Sequence, residues 1–140
     1  MVLTPSLPVA QTLSAGSNAT ITLSGGEVFR EQQVVASPYP QPIVEGFYAR
    51  YMFMSAQAFG SRGLMQTDSL LIGSELALIS RAELVVALVD SSKFGARANL
   101  VACPLSRIGV VITDSGITPR QRQMVESAGI RLIVADPPPA

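Results

Sequence analysis

The apolar positions of this chain fall into short blocks, and the block at residues 84–89 is the most telling. Six apolar, largely β-branched residues follow one another without alternation, which predicts a strand buried on both faces of a parallel sheet. The run stops abruptly at Asp90, Ser91, Ser92 and Lys93, with Gly95 just beyond. Around it, residues 1–4 predict a short strand and 7–13 a short helix behind Pro5 and Ser6. Residues 20–23 read as a strand running into Ser24, Gly25 and Gly26. The proline-rich turn 36–42 leads into a helix over 43–48, 51–54 form a buried strand, and 56–66 a glycine-containing loop. Thr67 and Asp68 mark the start of a helix reaching about Arg81, with Leu71, Ser74, Leu78 and Ala82 along one face. Residues 100–102 predict an edge strand ended by Pro104, and 108–113 a further strand. Thr118 caps a helix with Pro119 at its first position and Gly129 just past its end. Residues 130–134 are the last strand, before a proline-rich tail, 136–140. Strand–helix–strand alternation predicts an α/β fold, a layered, mostly parallel sheet with helices, in one domain over 1–140.

Composition narrows the classes of function. Apolar residues make up 48% of the chain, charged residues 14%, and the formal net charge is zero. This is too apolar for disorder and too neutral for a nucleic-acid surface. No run approaches the roughly 18 apolar residues of a membrane span, and the first ten residues hold two prolines and no basic residue, unlike a secretory leader. A lone Cys103 excludes an intrachain disulfide and suits a reducing cytoplasm. The absence of histidine removes histidine triads and histidine-based zinc sites, and no cofactor is expected.

Ligands of open α/β sheets bind at the carboxyl ends of the strands, where Asp90, Ser91, Ser92 and Lys93 fall. Lys93 supplies a point positive charge for a phosphate or carboxylate. Asp90 and the serines either orient sugar hydroxyls or cap the next turn. Gly25 and Gly26 follow a strand, where backbone N–H groups can approach an anion; a plain turn has the same signature. Thr67 and Asp68 stand at a helix start, as a sugar-hydroxyl site or as a cap. Gln57 and Arg62, in the loop after strand 51–54, are within reach of a ligand there, and solvation is the default for Glu75 and Arg62. Met52, Met54 and Met65 make an adaptable pocket wall or core filler.

DSSKFG, PLSRIGVVITDSGITP and AGIRLIVAD, with TPSLPVA and LSGGEVFRE upstream, resemble the C-terminal effector domain of DeoR-family bacterial transcriptional regulators over nearly the whole chain. YMFMSA, GLMQTD and LVVALVDSSKFGARA are similar to the L-ascorbate-utilisation repressors within that family. The resemblance implies a fold like ribose-5-phosphate isomerase, a phosphorylated sugar or sugar acid as inducer, a homo-oligomer, and a lysine at position 93 facing the ligand. It further implies an N-terminal winged helix-turn-helix that contacts operator DNA, and a first sensor strand with an Asp-x-Gly-Thr-Thr phosphate loop. Neither stands in this sequence, so the chain is expected to be an N-terminally truncated effector-sensing domain that does not bind operator DNA by itself.

Two departures from the common family pattern stand out. Ser55, Ala56 and Gln57 replace an acid, and Leu70 and Leu71 replace paired glutamates early in the following helix; the ascorbate-type subgroup has Thr–Asp at the place of Thr67–Asp68. Two alternatives to the sensor remain open from the residues. One is a sugar-phosphate isomerase with Glu75, Asp68 and Lys93 as acid–base groups; the other is a non-catalytic oligomerisation module.

Overall fold

The structure, a computed structural model, describes residues 1–135; the predicted tail 136–140 lies outside them. The chain divides into two compact units, Met1–Tyr48 and Ala49 onward.

In the first unit, β1 (Val2–Thr4) pairs in parallel with β2 (Ile21–Leu23) through the connecting helix α1 (Leu7–Gly16). Ser6 caps α1, its hydroxyl accepting from the Val9 N–H, and Pro8 sits in the first turn, where its missing N–H costs nothing. β3 (Glu27–Phe29) and β4 (Val34–Ala36) form an antiparallel hairpin, and α2 (Pro42–Glu45) is one turn, shorter than the helix expected over 43–48.

In the second unit, four parallel strands stand in the order β11-β10-β8-β5: β5 (Ala49–Met54), β8 (Ala82–Leu88), β10 (Ile108–Asp114) and β11 (Arg131–Ala135). β6 (Ala58–Gly60), β7 (Gly63–Gln66) and β9 (Leu100–Cys103) form a separate antiparallel sheet. Helices α3 (Ser69–Ile79) and α4 (Pro119–Ser127) join the parallel strands. The parallel sheet flanked by helices is the α/β arrangement that the alternation predicts. Val85, Ala87, Val89 and Val111 pack with Ile79 of α3, Val125 of α4, and Phe59, Leu64, Ala102 and Cys103 of the antiparallel sheet in one core.

Three local expectations are corrected. Segment 56–66 is the β6–β7 hairpin, in which Phe59 and Leu64 are fully buried, rather than a loop. β5 buries only one face: Tyr51 and Phe53 stay 46% and 63% exposed on the other, and only Met54 is buried. The expected face of α3 is wider: Ala82 already belongs to β8, and Ile72 and Ile79 carry the core packing.

Gly63 is the tight point of the hairpin. Its φ is +105°, and a Cβ there would strike the Cys103 carbonyl and lie 2.9 Å from the Leu105 nitrogen. Gly63→Ala is therefore expected to destabilise the fold by more than about 1 kcal/mol. Gly73→Ala, in the open helical position, should be neutral or stabilising by up to roughly 1 kcal/mol. Urea midpoints of the two variants provide the comparison, and equal midpoints would contradict it.

Candidate functional site

The parallel register sets the strand ends side by side: Met54 lies opposite Ala87, Leu88 opposite Ile112, and Asp114 opposite Ala135. The polar residues that follow β5, β8 and β10 therefore gather along one edge of the sheet.

After β8, Ser91–Lys93 form one 3-10 turn with Asp90 as its cap. The Asp90 carboxylate accepts from the Ser92 N–H at 2.9 Å and from the Ser92 hydroxyl. Those two bonds, hydroxyl first, hold its carboxyl below the usual carboxylate range, with the Lys93 charge adding to the effect. Asp90 thus caps and orients the turn. Lys93 is half-buried, and among the described residues no carboxylate lies within ion-pairing distance of its ammonium.

The turn is tied to the next strand. Asp114, the last residue of β10, accepts from the Ser91 N–H at 2.6 Å and, through its other oxygen, from the Gly116 N–H at 2.8 Å. The Ser91 N–H, the Ser91 side chain and the Gly116 N–H, in that order, keep its carboxyl low. An open groove of about 270 Å³ runs between these strand ends, lined by Leu88, Val89, Asp90, Ile112, Thr113, Asp114 and Ala135. Two ionised carboxylates beside apolar walls suit hydroxylated carbon better than a phosphate, and Lys93 does not line this groove.

After β5, the chain is pinned by Gln66 of β7. Its amide oxygen accepts from the Gln57 N–H at 3.2 Å, and its Nε2 donates to Glu75 Oε1 at 2.8 Å and towards the Ser55 carbonyl at 3.5 Å. Glu75 is not solvated, contrary to its default. Its Oε2 is buried with no partner among the described residues. Burial pushes its carboxyl above the usual range against the Gln66 bond, and the nearby Asp68 charge adds to the rise. Protonation is therefore favoured by folding: the associated stability is full below the unfolded-state pKa and is lost as pH rises through the higher folded value. Glu75→Gln keeps an acceptor for Gln66 and removes the charge. It is expected to raise Tm at neutral pH and to flatten the fall of Tm from pH 4 to 7; an unchanged pH profile would contradict this.

Asp68 caps α3, its carboxylate accepting from the Leu70 N–H at 2.9 Å, while Thr67 and the Gln57 side chain are exposed. Arg62 is exposed as well. Met54 is buried and Met52 packs on the core, as filler. Gly25 and Gly26 lie in the first unit, between β2 and β3, with φ +86° and +115°. A Cβ at Gly26 would strike the Ala36 carbonyl and come within 2.9 Å of the Ser37 nitrogen, so this glycine serves a close backbone approach.

The structure thus joins Asp90, Ser91, Ser92 and Lys93 in one turn, and sets Gln57 and Asp68 about the Gln66–Glu75 pair. Asp114 and Gln66 are the residues sequence reasoning missed, and Glu75, weighed there as a solvated or acid–base group, is instead half-buried against Gln66. For Asp114 a signal exists: Val-Ile-Thr-Asp-Ser-Gly ends its strand in Asp-Ser just as Leu-Val-Asp-Ser-Ser ends β8, its neighbour in the parallel sheet. Among the described residues, no group of three or more His, Cys, Asp or Glu could hold a metal ion, and no helix is long and apolar enough to cross a membrane.

A parallel sheet flanked by helices makes this an α/β domain, a class in which ligands commonly bind along the carboxyl edge of the sheet. The model of the DeoR C-terminal sensor domain family matches residues 1–115, and the chain belongs to that family. It is similar to the HTH-type transcriptional regulators UlaR of Salmonella newport (strain SL254), Salmonella heidelberg (strain SL476) and Salmonella agona (strain SL483). Each is 31% identical over 133 residues, covering 94% of this chain and 52% of the relative. The chain spans about half the length of the curated relatives it matches.

Proposed function

We propose that this chain is the effector-sensing part of a cytoplasmic bacterial repressor of the DeoR type, binding a phosphorylated sugar or sugar acid. The turn Asp90–Ser91–Ser92–Lys93, fixed at the parallel strand ends with its lysine in no salt bridge among the described residues, is the observation that carries this reading. Lys93 takes the anionic group, and Asp90, Ser91 and Ser92 the adjoining hydroxyls. Gln57, Thr67 and Asp68 extend the ligand contacts along the β5 end. The N-terminal half of a whole regulator would carry the operator contacts, and the whole would act as a homo-oligomer. The inducer alters DNA binding through its different affinities for two states of that oligomer. Such a sensor needs binding groups and no acid–base pair, so no catalysis is assigned.

The test is a thermal-shift screen of the 140-residue chain against phosphorylated sugars and sugar acids, L-ascorbate 6-phosphate among them. A saturable rise in Tm with one of them supports the reading. No rise with any, or turnover of a pentose phosphate, would replace it, the second by an isomerase.

A further inference from the structure

Asp114 is the acidic group at the sheet edge that neither a motif nor the expected ligand contacts had assigned. It ends β10, yet its strongest hydrogen bond reaches Ser91, 23 residues earlier, on the neighbouring strand end. Both of its oxygens are occupied by backbone donors, Ser91 N–H at 2.6 Å and Gly116 N–H at 2.8 Å. A carboxylate engaged in that way holds structure.

Gly116 supplies the second observation. Its φ lies outside the left-handed region, so its backbone conformation is open to any residue. Space is what distinguishes it: a Cβ there would displace the Ser91 Oγ and Asp114 Oδ1 side-chain atoms, the latter 2.8 Å away. Three residues from two strand ends are thus fitted to one another, and the turn they fix is the one that presents Lys93.

We propose that Asp114 is a positioning residue of the effector site, clasping the Ser91–Lys93 turn through the Ser91 N–H so that Lys93 is held ready for an anion. The proposal rests on the effector-site reading above. It accounts for a feature that reading leaves out, since the start of the turn would otherwise be held only by its own Asp90 cap.

The test separates the two. In the ligand-free 140-residue chain, the Ser91 amide resonance should lie downfield and titrate with an apparent pKa below the usual carboxylate range. In Asp114→Asn that titration should vanish, and the amides of Ser91, Ser92 and Lys93 should shift. Gly116→Ala, which keeps the carboxylate and crowds the clasp, should move the same amides. With L-ascorbate 6-phosphate, or whichever phosphorylated sugar the wild-type chain binds, both variants should lose at least tenfold in affinity while remaining folded by amide dispersion. Turn amides that stay in place in both variants overturn the proposal, as does unchanged affinity for a probe that the wild type binds. A wild type that binds no probe defeats the effector reading instead, and the ligand-free titration still decides whether Asp114 sets the turn.

Discussion

Lys93→Ala should abolish most of the effector-dependent stabilisation of this chain. A ligand present at about 100 times its Kd stabilises the folded state by roughly 2.7 kcal/mol. For a chain of this size that corresponds to a Tm rise of roughly 8–13 °C. The lysine is the cation of the strand-end turn, and loss of a hydrogen bond to a charged group costs about 1.5–3 kcal/mol. An affinity lowered about 100-fold leaves only roughly 0.4 kcal/mol of stabilisation at the same ligand concentration, a rise of about 1–2 °C. Lys93→Arg keeps the charge but replaces a compact ammonium with a planar fork, so an intermediate shift is expected. Full stabilisation of the alanine variant, measured in the same thermal-shift titration, would remove Lys93 from the site.

The turn that presents this lysine was legible in the sequence because its signals are local. An unbroken apolar run, an Asp at the point where it stops and two serines after it specify a buried strand and a capped turn within ten residues. The same holds for α4, where Thr118 and Gln121 form a capping box, Pro119 opens the helix, and Gly129 follows with φ +75°. What escaped is non-local. β6 and β7 have three and four residues, and their sheet is completed only by β9, so no window of sequence holds the pattern. The exposure of Tyr51 and Phe53 follows from which face of β5 is packed, which an apolar run does not encode. Glu75 sits in a helix that is apolar nearly all round, so no polar stripe marks its outer face and the one charge of Ser69–Ile79 turns inward to Gln66. The Asp114–Ser91 bond joins two strand ends and is set by their register.

One non-local contact links this core to the site, and it carries the largest stability effect expected for the molecule. Phe59 of β6 is fully buried and meets Phe94 edge-on, ring centroids 5.0 Å apart. Phe94 follows Lys93 directly, and the Gly95 N–H donates to the Phe59 carbonyl at 3.4 Å. The pair therefore anchors the far end of the Ser91–Lys93 turn, as Asp114 anchors its start. Phe59→Ala is expected to cost about 3–5 kcal/mol through lost burial and the cavity left behind. About 0.5–1.5 kcal/mol of that belongs to the ring–ring contact. Marginal domains hold only about 5–15 kcal/mol in total, so the loss is a large share. Urea unfolding should show a lower midpoint at nearly unchanged slope. Phe53→Ala, on the exposed edge strand, is the control and should stay within about 0.5 kcal/mol of wild type. Below its unfolding transition, Phe59→Ala should also bind a phosphorylated effector more weakly than wild type, since the turn loses one of its two anchors. Equal costs for the two phenylalanine variants would mean that the β6–β7 hairpin does not pack on the parallel sheet as described, and the link from core to Lys93 would fall with it.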